Sequence, residues 1–114
     1  MSYDLTAEMN YKLKQLDESC KMMIKAGNDK ANAEYQYRTA LAQGILHHRA
    51  ENMPVTIIND VVRGNKSVAK LKLERDITET TYDAIRESIN AQKLTIRVLE
   101  NQIAREWTTG ENGI

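Results

Sequence analysis

The sequence predicts an all-α protein: a long antiparallel helical hairpin with a short helix at its turn, which we expect to assemble into a helical bundle. Three observations predict this class. The 114 residues include no Phe, five Gly and one Pro, so strand-forming aromatics and chain breakers are both scarce. Apolar residues recur at alternating steps of three and four in two stretches of roughly 40 residues, the spacing of one helix face. Pro54 separates the two stretches.

The first stretch predicts a helix over residues 4–51. Its apolar face comprises Leu5, Met9, Leu13, Leu16, Cys20 and Met23. The segment Gly27-Asn28-Asp29 is its weak point, because Gly can end a helix and Asp can cap a new one. A continuous or kinked helix is favoured, since Ala-rich sequence resumes at once, whereas a true break would give a three-helix bundle.

The second stretch predicts a helix over residues 67–107, with Ser67 as its N-cap. Its 3-4 stripe persists for more than about five heptads, which is typical of a coiled-coil seam. A second apolar row widens this face and comprises Leu73, Ile77, Ala84, Ala91 and Val98. A two-helix hairpin would leave that row in water, so we expect a homo-oligomer. The polar segment 108–114 contains two Gly, and we expect it to form a flexible tail after a single domain of residues 1–107.

Between the two long helices, the sequence predicts a short helix over residues 56–63. Thr56 is its expected cap, and Gly64 fits the residue that terminates it. Its four aliphatic residues are Ile57, Ile58, Val61 and Val62. If they are buried they plug the turn, and if they are exposed they form an anchor for a partner.

The charges are balanced overall but segregated along the chain. There are 16 basic and 16 acidic residues, yet residues 21–75 hold ten Lys and Arg against five acids, a balance of +5, and the remainder carries −5. In a hairpin the middle of the sequence lies at the turn, so the turn is predicted to be basic. We therefore predict a partner-binding surface there, comprising Arg49, Ile57, Ile58, Val61, Val62, Arg63, Lys66, Lys70 and Lys72.

Two groups of side chains are of the types used in metal or acid–base chemistry. His47, His48 and Glu51 share one helix face, but a di-metal bundle needs more carboxylate and His ligands than two histidines can supply. Four acids follow one face of the second long helix, namely Asp76, Glu79, Asp83 and Glu87, and they are interpreted as a solvated stripe.

Cys20 and the segment Tyr35–Arg38 carry the remaining reactive or aromatic side chains. Cys20 is interpreted as a small buried hydrophobe, because no histidine lies near it in the sequence. Tyr35 and Tyr37 are predicted at the edge of the core. Phosphate-binding loops, nucleophile motifs and zinc spacings are absent from the sequence, so we predict no enzyme, no cofactor and no metal.

The sequence also bears on compartment. No apolar run approaches the 18 residues of a membrane span, and the first residues have neither the basic nor the apolar region of a signal peptide. We expect a cytoplasmic protein with no membrane partner.

Four segments together carry a resemblance: YQYRTALAQGIL, MPVTIINDVVRG, SVAKLKLERDITETTYDAIRESI and QIAREW. The chain resembles small helical proteins encoded by phages and prophages of Gram-positive bacteria, over roughly residues 30–107. In outline the hairpin is also similar to small secreted WXG-type proteins, but those carry Trp-x-Gly at the turn and this chain has no Trp there. The phage resemblance implies a role among early genes for replication and recombination, in the host cytoplasm.

These observations predict a non-enzymatic, oligomeric helical interaction protein that binds a macromolecular partner, either a component of host or phage DNA metabolism or one of a host defence system. The alternative is a nucleic-acid-binding accessory protein that uses its basic turn. A third hypothesis is that an oligomer of the chain binds a small ligand between protomers through Tyr, Arg and Lys side chains.

Overall fold

The computed structural model describes the backbone of residues 4–112 and the side chains of residues 4–109. This part of the chain forms three helices: α1 over Leu5–Ala50, α2 over Val55–Gly64 and α3 over Lys66–Asn112. No strand occurs among these residues. The predicted all-α class and the order of long helix, short helix and long helix are confirmed.

Helix α1 is capped at both ends by polar groups next to it in sequence. At its start, the amide of Ala7 donates a hydrogen bond of 3.0 Å to Asp4 Oδ1. The helix passes through Gly27 without interruption, so the alternative with a break there is wrong. After Ala50, Asn52 adopts a left-handed conformation with φ of 61°, and the Met53 amide bonds to the His48 carbonyl at 3.1 Å. This is a Schellman motif, and it ends the helix one residue before the predicted boundary.

Helix α2 begins directly after Pro54 without a side-chain cap. The expectation that Thr56 caps it is wrong, because the helix already includes Val55 and the Pro54 carbonyl accepts the Ile57 amide at 3.1 Å. Pro54 suits this position, since a proline φ is already close to the helical value. The helix includes Gly64, one residue beyond the predicted end at residue 63, and Asn65 follows it as the C-cap. Gly64 has no positive φ, so the expectation that it terminates the helix is wrong.

Asn65, and not Ser67, caps helix α3. Asn65 Oδ1 accepts the amides of Ser67 at 3.0 Å and Val68 at 3.3 Å, together with the Ser67 hydroxyl at 2.6 Å. Asn65 is extended, which lets its side chain fold back over the first turn. The Ser67 hydroxyl thus donates to the cap and does not provide it.

At its other end, α3 continues to Asn112, five residues beyond the predicted end at Trp107. The predicted tail 108–114 is therefore wrong for residues 108–112, whereas 113–114 lie outside the described residues. A single Gly in a helix costs only about 1 kcal/mol relative to Ala, so Gly110 does not end α3.

The chain divides into two compact units, which we describe separately. The first combines residues 1–24 with residues 84–114. Its helix segments are antiparallel, since Ser19 lies beside Gln92 whereas Met9 lies beside Ile103. Its buried residues are Leu5, Ile89, Ile96 and Leu99. Leu13 and Cys20, which the sequence placed on the apolar face, are exposed.

The second unit comprises residues 25–83, with parts of α1 and α3 and the whole of α2. Its buried cluster consists of Tyr37, Ile58, Val62 and Val68. The side chains packed against that cluster are Ala40, Leu41, Ile45, Met53 and Leu71. Tyr37 is thus a core residue, whereas Tyr35 is 68% exposed, because the two side chains point to different sides of α1.

Candidate interaction surface

The aliphatic residues of α2 face in two directions. Ile58 and Val62, with 3% and 1% of their surface exposed, belong to the core of the second unit. Ile57 and Val61 are 45% and 40% exposed, and Val55 at the start of the helix is 72% exposed. The four aliphatic residues predicted at this site therefore fall into two pairs. Ile58 and Val62 are core residues that are not available to a partner, whereas Ile57 and Val61 are exposed and available.

Four of the five cations predicted at this site have no internal partner. Arg49, Arg63, Lys66 and Lys70 are exposed and make no side-chain hydrogen bond or ion pair with the residues that the structure describes. Lys72 differs, since its ammonium group binds Asp76 Oδ2 at 3.2 Å. Lys72 therefore supports α3 itself, and the other four cations remain for contact with a partner.

We name the α2 surface by its exposed members: Val55, Ile57, Val61, Arg49, Arg63, Lys66 and Lys70. All seven lie on α2 or within the adjoining ends of α1 and α3, and all belong to the second unit. Three aliphatic side chains thus lie on a short helix whose flanks carry unpaired positive charge. Sequence reasoning missed Val55, although its position one residue after Pro54 at the start of an amphipathic helix was a usable signal.

The two histidines lie at the end of α1 next to one carboxylate. His47 Nε2 is 3.2 Å from Glu51 Oε1, and His48 Nδ1 is 3.8 Å from Glu51 Oε2. Among the described residues, no group of three potential metal ligands is close enough to hold an ion. Both distances join Glu51 to the last turn of its own helix.

Arg75 is the centre of a charged network that links α1 to α3 in the second unit. Its guanidinium lies 3.0 Å from Asp76 Oδ1 and 3.6 Å from Glu34 Oε2, and its central carbon lies 4.7 Å above the Tyr37 ring. Glu34 also accepts a hydrogen bond from Arg38. Nothing in the sequence pattern indicates the contacts of Arg75 with Glu34 and Tyr37 on α1.

The ion pairs of this network stabilise the charged forms of Glu34, Arg75 and Asp76. Hydrogen bonding from Arg75, and then from Lys72, lowers the pKa of Asp76. The hydrogen bond from Arg38 lowers the pKa of Glu34, and Asp76 raises the pKa of Arg75. An acid–base catalyst needs a pKa moved toward neutrality, so these shifts fit structural ion pairs.

Between α1 and α3 of this unit lies an open groove of about 610 Å³. Its floor is formed by Gly27 and Tyr82, and Lys30 Nζ lies 4.7 Å above the Tyr82 ring. Glu34, Glu79 and Arg75 also line it, so two carboxylates balance two cations. Because the positive and negative side chains that line the groove are equal in number, they neutralise each other. The groove therefore has no net charge that would favour an anionic or a cationic ligand.

Comparison of the chain with protein-family models, with curated proteins and with solved structures found no match. The function is therefore inferred from the surfaces described above. Across the described residues, none of the helices is both long enough and apolar enough to cross a membrane.

Proposed function

We propose that the chain is a non-enzymatic helical interaction protein that binds a protein partner through the α2 surface. The observation that carries this proposal is the pairing of exposed Val55, Ile57 and Val61 with four unpaired cations. Protein interfaces combine apolar and charged side chains, and α2 with the adjoining helix ends exposes both kinds. The partner surface that fits it is apolar with acidic residues around it.

Nucleic-acid binding is the second candidate, favoured by the same four cations. Phosphate contacts need cations alone, and stacking on single strands needs aromatic side chains, which the α2 surface lacks. Three exposed aliphatic side chains have no evident role against a phosphate backbone. They favour a protein partner.

The proposal that the chain is not an enzyme is supported by the electrostatics. The carboxylates with shifted pKa values, Glu34 and Asp76, have lowered values because cations bind them. Neither is prepared to hold a proton near neutral pH, as a general acid or base would be.

We further propose that the protein is oligomeric and cytoplasmic. Support for self-association comes from large apolar side chains that each unit leaves exposed. On α3 they are Leu73 and Ile77 in the second unit and Leu94 and Val98 in the first, all at least 55% exposed. A molar mass of 13.0 kDa by light scattering at micromolar concentration would contradict this.

The origin of the partner is proposed from the sequence resemblance alone. If the chain belongs with phage and prophage helical proteins, its partner is a component of host or phage DNA metabolism or of host defence.

Affinity capture with three baits tests the proposed function: the wild type, the double variant Ile57→Asp with Val61→Asp, and the control Leu13→Asp with Ile24→Asp. Leu13 and Ile24 are exposed aliphatics of α1, 46% and 68% accessible, so the control adds the same charge elsewhere. We expect a protein that the wild type and the control retain and the α2 variant loses. Equal capture by all three baits would contradict the proposal.

A gel-shift salt series distinguishes the second candidate. A duplex shift that weakens steeply with salt, and that Lys66→Glu with Lys70→Glu abolishes but Ile57→Asp with Val61→Asp does not, would replace the protein partner by nucleic acid.

A further inference from the structure

An apolar groove of about 500 Å³ lies between α1 and α3 in the unit formed by residues 1–24 and 84–114. Its apolar lining consists of Met9, Ile103, Ala104 and Trp107. We call it the Trp107 groove. Its volume is in the range of small-molecule sites, which are mostly apolar and have a few polar groups that orient the ligand. The α2 surface belongs to the other unit, so a ligand of this groove is a separate matter from the proposed protein partner.

Glu100 is the one charged residue that lines the Trp107 groove. It is exposed, and its carboxylate makes no side-chain hydrogen bond or ion pair with any residue that the structure describes. Three cations nearby in the sequence, Lys12, Lys14 and Arg97, offset the other acids of this region, but none of them lines the groove. A ligand inside the groove therefore meets a single, unpaired negative charge.

Trp107 is the second unpartnered group of the groove. It is 75% exposed, and no cation or aromatic ring of the described residues covers it. The rings of Tyr37 and Tyr82, by contrast, are each covered by a cation of the chain itself. Packing an apolar or aromatic group against an exposed indole removes apolar surface from water and is favourable. The groove thus offers a carboxylate and an aromatic ring, with Ile103 and Ala104 between them in the sequence.

The spacing of Glu100 and Trp107 sets the size of a ligand that touches both. They are seven residues apart on α3, so they lie on the same side of the helix, two turns or about 10 Å apart. A fitting ligand therefore holds a positive charge at one end of an apolar body of similar length. An ammonium group joined to an aromatic ring by a short carbon chain has these properties.

We infer that the Trp107 groove binds small organic amines with an apolar body. The ammonium group donates a charged hydrogen bond to the Glu100 carboxylate, and the apolar body packs against Ile103, Ala104 and Trp107. The apolar contact supplies most of the affinity, whereas the ammonium contact orients the ligand and selects its charge. This ligand site goes beyond the proposed function, which concerns a protein partner of the α2 surface.

Three ligands with a phenyl body and different charges test the inference on the full chain: phenethylammonium, 2-phenylethanol and 3-phenylpropionate. Because Trp107 is the one Trp of the chain, its fluorescence reports binding at the groove. We expect phenethylammonium to change the emission saturably, with a dissociation constant of about 1–10 mM. It should bind about three- to five-fold more tightly than the alcohol, the effect of one exposed ion pair, and the anion should bind most weakly. Equal affinities for all three ligands, or no saturable change with the amine, would overturn the inference.

Glu100→Gln tests the charged contact, because it removes the charge and keeps the shape of the side chain. In this variant the amine should bind like the alcohol, and the affinity of the alcohol should not change. The matched control is Glu106→Gln, since Glu106 is another exposed acid of α3 but lines a different depression, with Arg105. The control should keep the preference for the amine. A preference that survives Glu100→Gln, or that Glu106→Gln removes to the same extent, would contradict the assignment of Glu100.

Ala104→Leu tests the apolar contact. Ala104 is exposed and lines the groove, so a larger side chain there should fill part of it and weaken the amine and the alcohol by the same factor. Circular dichroism checks that the variant keeps its helices. Wild-type affinity of Ala104→Leu for both ligands would show that they bind outside the groove, and the inference would fail.

Discussion

Gly44 of α1 lies so close to Val62 of α2 that a Cβ atom on Gly44 would come within 2.6 Å of the Val62 Cγ1. Val62 is the most deeply buried large side chain described, with 1% of its surface exposed. The close approach seats α2 on α1 and fixes which α2 side chains point outward. The α2 surface therefore depends on a residue that takes no part in it.

Replacing Gly44 by Ala should destabilise the protein. Overpacking a core costs about 1–3 kcal/mol, against roughly 1 kcal/mol gained by removing Gly from a helix. Urea unfolding measures the change. In a Val62→Ala background the same replacement should be neutral or stabilising, because the clashing methyl groups are gone. Gly64→Ala is the matched control, since nothing lies within 4 Å of its added Cβ. An equal effect of Ala at positions 44 and 64 would contradict the seating of α2 on Gly44.

Replacing Asn65 by Ala should cost about 0.5–2 kcal/mol, the usual effect of removing an N-cap. The amides of Ser67 and Val68 would lose their acceptor. Ser67→Ala should cost less, because the Ser67 hydroxyl only donates to Asn65. The two free energies of unfolding compare these roles directly, and a larger cost for Ser67→Ala would restore Ser67 as the cap.

The two faces of α2 should respond differently to truncation. Ile58→Ala should cost about 2–5 kcal/mol as a buried truncation, whereas Ile57→Ala should stay within about 0.5 kcal/mol of the wild type. Thermal or urea unfolding of both variants measures the difference. A comparable cost at both positions would show that Ile57 supports the fold, and would remove it from the α2 surface.

Replacing Arg75 by Met should raise the pKa of Asp76 toward its ordinary value, and by more than Lys72→Met does, because Arg75 is the larger cause of the lowering. NMR titration of the side-chain carboxyl measures both. Since the folded-state pKa values of Asp76 and Glu34 are lowered, their stabilising contribution is present above the unfolded values near pH 4 and is lost as pH falls through the lowered ones. The stability advantage of the wild type over the Arg75→Met variant should therefore be largest above the unfolded values and should shrink as pH falls through the lowered ones. An advantage that does not change with pH, or no advantage at neutral pH, would contradict the network.

The spacing of apolar residues predicted the helices, but it did not predict which row of apolar residues on each helix is buried. Steps of three and four identify an apolar face without choosing between adjacent rows, so Met9 and Leu16 were placed correctly, whereas Leu13 and Cys20 proved exposed. The second unit shows the same limit, because Ile57 and Ile58 are equivalent in a hydrophobic pattern. The close packing of Val62 against Gly44 decides which of them is buried, and a tertiary contact of this kind is not visible in the sequence.

The predicted helix cap was wrong where two neighbouring residues could both serve as the N-cap. Asn65 and Ser67 both have capping side chains, and the extended conformation of Asn65 decides the outcome. The basic turn was predictable from charge counts. The pairing of Lys72 with Asp76 was also readable, because the two residues are four apart on one helix, whereas the contact of Arg75 with Glu34 on α1 is tertiary and was not.

The most direct test of the proposed function is a binding titration of the captured partner against the wild type, the Ile57→Asp, Val61→Asp variant and the Leu13→Asp, Ile24→Asp control. We predict that the α2 variant binds at least about 30-fold more weakly, the effect of losing a residue that dominates an interface, whereas the control binds like the wild type. Dissociation constants within about two-fold of each other for all three proteins would contradict the assignment of the α2 surface as the site of binding.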